Sequence, residues 1–467
     1  MVEKNKKTTV KDTAAELEKL ARLCKKNDAI DPDLYEKYDV KRGLRDKRGR
    51  GVLTGLTEIA EVKSYTIDDN EIVPCPGKLY YRGYDVEDLV NGFISERRFG
   101  YEETAYLLLF GSLPKKKELE SFCRILDSYR RLPKSFVKDV IMKAPSSDMM
   151  NTIAKSILTL YSYDNKADDT SVENVLRQCL SLTAEMPMLA VYGYHAFQHY
   201  KKDASLIIHM PKPGLSSAEQ FLHLLRDDSQ YTELEARTLD LCMVVHADHG
   251  GGNNSTFTTR VVTSSGTDTY STISASLASL KGPKHGGANL KVIGMMDDIK
   301  KNVKHWDDED EVSAYLKKIL DMKAYDNSGL IYGIGHAVYT ISDPREVLLK
   351  EFVEKLSAAK GMEKEFALYQ TVEKCAPGLI AKARKMYRET LSANVDFYSG
   401  FVYRMLGIPE ELFTPLFAIA RMAGWSAHRL EELVGNGKII RPAYKTVSRH
   451  KEYVPINDRK RAAEKKK

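Results

Sequence analysis

The chain has 467 residues, 43% hydrophobic and 29% charged, with 71 Lys and Arg against 65 Asp and Glu for a net charge of +6. That length exceeds one ordinary core, so two domains or one large domain with an insertion are expected, and the balance is that of a folded chain rather than a disordered one. A bilayer span is excluded by apolar runs as short as Leu107 to Phe110, and a nucleic-acid surface by the lack of a basic stripe with interleaved aromatics.

The N-terminus, MVEKNKKTTVKDTAAELEKL, carries acids early and has no apolar stretch, which argues against a secretory or organellar leader and for a cytoplasmic address. Residues 1 to 50 read as a helical leader followed by a basic segment. Cys24, Cys75, Cys123, Cys179, Cys242 and Cys375 stand singly, without a CxxC pair, as suits reduced thiols and gives no zinc signal. Thr54 to Tyr84 alternates apolar and polar residues around Asp68, Asp69 and Asn70, predicting a hairpin or two short strands.

From Val86 onward the pattern is helix after helix. Tyr101 to Phe110 is closed by Gly111 and Pro114, and Ser216 with Glu219 forms a capping box ahead of FLHLL. Thr272 to Leu280 places Ser274, Ala275, Ala278 and Ser279 at helical spacing, which predicts close packing and a candidate subunit interface. Leu290 to Ala393 is a second helical block. Within it Asp343 caps a helix, Pro344 takes its first position, Glu346 completes a capping box and Gly361 stops it. Apolar helices resume after Asn394. The expected fold is all-α: a large helical domain over 1–289, a smaller one inserted at 290–394, a return to the first over 395–467, and a minor N-terminal β hairpin.

Three of the eleven histidines, His246, His249 and His285, fall between His246 and Asn289 together with two glycine clusters. HADHGGGNN admits three readings: a metal site on His246, Asp248 and His249, core histidines bonded to carbonyls, or a helix end opening onto a ligand. No HExxH and no carboxylate at ligand spacing argue against metal, and the glycines favour the last. In KGPKHGGAN, His285 is expected to begin a helix whose dipole disfavours the imidazolium, leaving a neutral donor for an enolate oxygen; a glycine-flanked structural turn is the alternative. Gly333-Ile334-Gly335 lacks the third glycine of a dinucleotide fingerprint, since Val338 stands there. His336 beside Arg345 suits a carboxylate clamp with a proton donor. Asp396 would ordinarily be an N-cap. Arg421, set among apolar residues where an unpaired charge is costly, and Arg441 suggest a binding site instead.

LYYRGYDVEDLV, YLLLFGSLP, HADHGGGNNST, KGPKHGGAN, GIGHAVYTISDPR, NVDFYSG, ARMAGWSAH and the late Arg441-Pro442, in that order, resemble the citrate synthase family, including its 2-methylcitrate members. The first fifty residues and the Lys-rich tail fall outside the resemblance. It implies that an acyl-CoA α-carbon attacks the ketone of oxaloacetate and that the citryl thioester is then hydrolysed. On that resemblance Asp396 is the base, His285 holds the thioester oxygen, and His336 polarises and protonates the ketone. His249, Arg345 and Arg421 would bind the oxaloacetate carboxylates, and Arg441 would come from the partner in a homodimer. Main chain at Gly333, Ile334 and Gly335 would meet CoA. Acetyl-CoA is then a co-substrate, with no resident cofactor or metal and no nucleic-acid or membrane partner. Removing a thioester α-proton with a carboxylate requires water to be excluded and the enolate oxygen to be hydrogen-bonded, so closure of the inserted block is expected. The motifs leave acetyl against propionyl undecided.

Overall fold

The structure is a computed structural model that describes residues 10–46, 50–68, 71–335, 338–339, 341–386, 391–435 and 437–459. Two compact units divide the chain, residues 1–56 and 57–467. In the first, the expected leader is the helix Val10–Asn27, followed by the short helix Asp33–Lys37 and a bridge between Arg45 and Gly51.

The second unit opens with an antiparallel sheet of order β1-β2-β3, formed by β1 (Ala60–Asp68), β2 (Glu71–Tyr81) and the two-residue β3 (Tyr84–Asp85). The hairpin is where alternation placed it, and β3 is an addition; Asp69 and Asn70 lie outside the described residues. Register slips once, because Cys75 to Gly77 of β2 stand against Ser64 alone of β1. Pro74 and Pro76 give up ladder donors there, and the resulting bulge turns Gly77 outward. Its N–H lies 3.2 Å from both the carbonyl and the hydroxyl oxygen of Ser342. A Cβ at Gly77 would sit 2.2 Å from that carbonyl, so only glycine lets the two backbones meet.

All the other regular elements described are helical. The helix Phe413–Val434 is buried from Phe413 to Leu416 and from Ala418 to Arg429, apolar on nearly every side, as befits a central helix. Packed around it are Val172–Lys202, Asn254–Thr263, Tyr101–Phe110 and Glu233–His246. Local chemistry sets the ends of these helices. Ser216 with Glu219 and Thr232 with Glu235 form reciprocal capping boxes, while Gly111 at φ +82° and Gly361 at φ +66° close theirs in the left-handed region. The small-residue helix Thr269–Lys281 packs closely inside the chain. Ser276 meets Thr259 at 2.7 Å, and Ser274 donates to the Ala154 carbonyl at 3.3 Å.

One capping expectation fails. Asp343 does cap Pro344–Lys360 by accepting the Arg345 N–H, with proline at the helix start, but Glu346 makes no return bond. Asp343 instead turns its carboxylate to the Arg345 guanidinium, and Glu346 is buried elsewhere.

The sheet reaches the centre of the molecule through Tyr81, whose buried hydroxyl lies 3.0 Å from the Val244 carbonyl and 3.1 Å from that of Asp248, at the end of Glu233–His246. Replacing Tyr81 by Phe leaves those buried carbonyls short of a donor. Urea unfolding of Tyr81→Phe is expected to show a loss of about 1–3 kcal/mol, with the slope of the unfolding curve unchanged.

Candidate active site

Helix Glu233–His246 runs out at His246, and the chain reverses at Gly250, φ +79°. His246, Asp248 and His249 are thereby buried side by side. The His246 ring bonds the Cys242 carbonyl through Nδ1 at 2.7 Å while Nε2 has no partner. Its pKa is driven down to about 3 by burial and by the charges of Arg345 and Arg421, so it is neutral. His249 lies 3.3 Å from the Tyr339 hydroxyl. Asp248 accepts the Gly250 N–H at 2.7 Å and faces His428 at 3.2 Å, with both side chains fully buried. Burial pushes the Asp248 carboxyl up, but His428, Arg421 and the Gly250 N–H outweigh it and hold the group below its ordinary value. Among the described residues no group of three His, Cys, Asp or Glu side chains is placed to hold a metal ion.

Arg421 enters this cluster from the central helix. Its Nε donates to the His246 carbonyl at 2.6 Å and its Cζ sits 4.7 Å from the centre of the Phe417 ring. Both terminal nitrogens are buried, without a hydrogen-bond partner among the described residues. Burial lowers its pKa to about 10, opposed by Asp248, Tyr81 and Asp396. A guanidinium withdrawn from water with two nitrogens unbonded is poorly stabilised by the chain alone, a deficit of the kind that a carboxylate is shaped to fill.

Arg345 takes the second position of Pro344–Lys360. Asp343 grips it through Nε at 3.0 Å and Nη2 at 2.7 Å, and Tyr339 lies beneath the guanidinium at 5.7 Å. The same Asp343 carboxylate accepts the Val395 N–H at 3.2 Å, so it holds the start of Val395–Met405 as well. In that helix the N-cap is Asn394, which accepts the Asp396 N–H, so Asp396 is not the cap and its carboxyl is spared that duty. Among the described residues no hydrogen bond to the Asp396 carboxylate is found. Burial drives its pKa from 3.8 up to about 6; Arg345 and Arg421 pull the other way, and Asp343 adds to the rise.

His285 departs from expectation. The next helix, Ala288–Asn302, begins three residues later, and His285 lies in a turn closed by its own N–H to the Gly282 carbonyl at 2.9 Å. Its pKa falls to about 4 because the ring is buried and Arg421 is near, rather than because of a helix terminus. The imidazole Nε2 lies 3.2 Å from the Ser255 hydroxyl, to which Trp425 donates its indole N–H at 3.2 Å. Gly286 permits the turn, since a Cβ there would sit 2.2 Å from the Leu280 carbonyl.

Gly333, Ile334 and Gly335 lie against the approach to Asp396. Gly335 N–H donates to the Ser392 carbonyl at 2.7 Å, Asn394 N–H to the Gly333 carbonyl at 2.9 Å, and Ile334 bridges Ala393. Five of the expected side chains, His249, His285, Arg345, Arg421 and Asp396, therefore share one buried electrostatic neighbourhood. His336 lies outside the described residues. Arg441 is exposed in the extended segment 437–447 and joins no part of the cluster within its own chain. Sequence reasoning missed Ser255, Tyr339 and His428, and saw Asp343 only as a cap. Ser255, Tyr339 and His428 do fall inside the motifs HADHGGGNNST, GIGHAVYTISDPR and ARMAGWSAH, the one signal that could have flagged them.

A helical frame that gathers a carboxyl of raised pKa, a neutral imidazole and two buried guanidinium groups is suited to moving a proton beside an anionic ligand. Comparison with known proteins agrees. The family described as Citrate synthase, C-terminal domain, matches residues 47–443. A citrate synthase of Synechocystis sp. is 33% identical over 82% of this chain and 88% of its own, and a 2-methylcitrate synthase of Shewanella oneidensis is 32% identical over 82% and 90%. A crystallised citrate synthase of Thermoplasma acidophilum, in ternary complex with carboxymethyl coenzyme A and oxaloacetate, superposes with a TM-score of 0.73 at 27% identity, covering 90% of this chain and 99% of that one. The chain belongs to the citrate synthase family, and so to the condensing enzymes of the transferase class.

The raised pKa of Asp396 has a cost in stability. Its folded value, about 6, exceeds the ordinary 3.8, so the ionised form opposes folding fully above pH 6, and the penalty fades as pH falls from 6 to about 4 and is absent below that. Asp396→Asn is expected to raise unfolding free energy at pH 7.5 by up to about 3 kcal/mol, at about 1.4 kcal/mol per pKa unit, and to lose that advantage near pH 4. Urea titrations at the two pH values measure it.

Proposed function

We propose that the chain is a citrate synthase that condenses acetyl-CoA with oxaloacetate to give citrate and free CoA. The observation that carries this reading is Arg421, whose two unpartnered buried nitrogens lie in the same neighbourhood as Asp396 and His285. Oxaloacetate carboxylates would complete Arg421 and engage Arg345 and His249. Asp396, mostly ionised at neutral pH yet more basic than an ordinary aspartate, would remove the methyl proton of the thioester. Neutral His285 would donate to the thioester oxygen as the enolate forms, and a neutral donor suits this because it matches the weak acidity of the enol. His336 would polarise the ketone and protonate the new alkoxide. Water then cleaves the citryl thioester. No step calls for a resident cofactor.

Main chain at Gly333 to Gly335 would meet CoA, and the block 290–394 would act as the smaller lobe that closes over oxaloacetate to exclude water. Exposed Arg441 would complete the site of a second copy, which makes the working unit a homodimer, and the enzyme would act in the cytoplasm.

A 2-methylcitrate synthase using propionyl-CoA is the second reading, favoured by the Shewanella relative at nearly the same identity. Thiol release with each acyl-CoA decides: acetyl-CoA is expected to give the higher kcat/KM, a propionyl preference would replace the first reading by the second, and no CoA release with either would remove both. Asp396→Ala is expected to lower kcat by about 10³-fold or more while oxaloacetate binding persists. In the wild type, kcat/KM is expected to fall as pH drops through about 6, where Asp396 takes up its proton. Mixing inactive Arg441→Ala with inactive Asp396→Ala chains tests the shared site. Half of the random dimers are hybrids with one intact site, so roughly one quarter of wild-type turnover should return. No recovery after proven exchange would place Arg441 outside the mechanism.

A further inference from the structure

Tyr339 stands in GIGHAVYTISDPR, six residues before Arg345, and none of the roles proposed above falls to it. Only 1% exposed, its side chain reaches two residues of the candidate site at once. The hydroxyl lies 3.3 Å from His249 Nε2, with the two rings edge to face at 5.5 Å and 75°. The guanidinium carbon of Arg345 sits 5.7 Å from the ring centre, within the range where an aromatic face attracts a cation. Backbone bounds the ring elsewhere: a Cβ at Gly77 would come within 2.5 Å of its Cδ1, so the ring is pressed directly onto β2.

Each contact has a consequence. Asp343 holds the guanidinium edge that carries Nε and Nη2, and the Tyr339 ring gives Arg345 a second surface to rest on. For His249 the effect is on the imidazole itself, because the hydrogen bond made at one ring nitrogen sets which nitrogen carries the proton. A hydroxyl at Nε2 therefore helps to fix both the rotation of that ring and its tautomer. Burial holds the Tyr339 pKa above its ordinary value, with Arg345 opposing the rise and Asp343 and Tyr81 adding to it, so the hydroxyl keeps its proton. His249 and Arg345 are 96 residues apart in the chain, yet one rigid phenol sets each relative to the other. Orienting two binding groups during folding spares that cost when the ligand arrives.

We propose that Tyr339 is the positioning residue of the oxaloacetate clamp, holding His249 by its hydroxyl and Arg345 by its ring so that both meet one dicarboxylate. The inference rests on the citrate synthase reading above. Tyr339 acts through its two partners and not on the reacting carbons, so its effect falls on affinity for the dicarboxylate rather than on the acyl-CoA.

Isothermal titration of the full chain with oxaloacetate, joined to initial rates with both substrates, tests this in the wild type, Tyr339→Phe, His249→Ala and the double variant. Tyr339→Phe is expected to weaken oxaloacetate binding about fivefold or more and to raise its KM similarly, while kcat falls by a much smaller factor and KM for acetyl-CoA holds. In the His249→Ala background the same substitution should cost less than about twofold, because the hydroxyl then has no imidazole to hold. Tyr339→Leu, which removes the ring as well, should weaken oxaloacetate about threefold further. The proposal is overturned by unchanged oxaloacetate affinity in Tyr339→Phe, by an equal loss in the His249→Ala background, by a parallel rise in KM for acetyl-CoA, or by a Tyr339→Phe chain that fails to fold, which would make the hydroxyl structural. A wild-type chain that binds no oxaloacetate overturns the citrate synthase reading and this inference together, whereas normal wild-type binding with any of those four results removes the role of Tyr339 alone.

Discussion

Asp343 is a carboxylate with no exposure to water, placed between the first turns of two helices. It grips the Arg345 guanidinium twice, caps that residue's own helix through the Arg345 N–H, and takes the Val395 N–H one residue before Asp396. Taking a carboxylate to that depth is costly, and these four donors offset the cost. The placement of Arg345 against Asp396 is consequently set by a single side chain rather than by the meeting of two flexible ones. Ser342, the preceding residue, is tied to Gly77 of β2, so the small sheet braces the same point from outside.

Two arginines on the central helix show what makes a buried charge structural and what makes it a ligand site. Arg429 has Thr263 and Thr272 on one terminal nitrogen and the Thr267 carbonyl on the other, with Thr269 at Nε. Arg421, two turns earlier and equally buried, has only the His246 carbonyl. The first is complete without a partner and fixes neighbouring helices. The second is not, and the nearby carboxylates do not supply the missing bonds: Asp248 turns one oxygen to the Gly250 N–H and the other toward His428 at 3.2 Å, while Asp396 contributes charge without contact. Desolvation already suffered by the free protein need not be suffered again on binding, which is how preorganised cations hold small dianions.

Much of this was legible in the sequence, for reasons that differ element by element. Capping boxes at Ser216 and the closing glycines at Gly111 and Gly361 are local chemistry, so they survive in any fold. The β hairpin announced itself by period, whereas β3, two residues long, is too short to carry one. The convergence of His249, His285, Arg345, Arg421 and Asp396 followed from the ordered motifs, not from spacing, since no local pattern relates residues far apart in the chain. Tertiary contacts defeated the rest. Glu346 has the sequence of a capping-box partner, yet Asp343 is drawn to Arg345 and the reciprocal bond is lost. His285 looked like a helix start because Gly286 and Gly287 follow it, but Gly286 is consumed by the turn against Leu280 and the helix takes Gly287 as its N-cap.

The glycines of Gly333-Ile334-Gly335 resolve similarly. Their dihedrals, φ +79° and +90°, and the 2.8 Å that would separate a Gly333 Cβ from Phe397 and Val292 show what the residues are for: a strand-like segment pressed onto a helix start. Asn394 then locks the pair, its side chain donating to the Gly335 carbonyl at 2.8 Å while its oxygen caps the Asp396 N–H. One asparagine thus joins the glycine segment to the helix that bears Asp396. Any displacement of that segment must drag the cap, and with it the first turn holding Asp396, so the position of the glycine segment and that of the Asp396 carboxyl are mechanically one variable. Asp343 holds the same turn through the Val395 N–H, which leaves the Asp396 backbone anchored on two sides and its carboxyl without a hydrogen bond among the described residues.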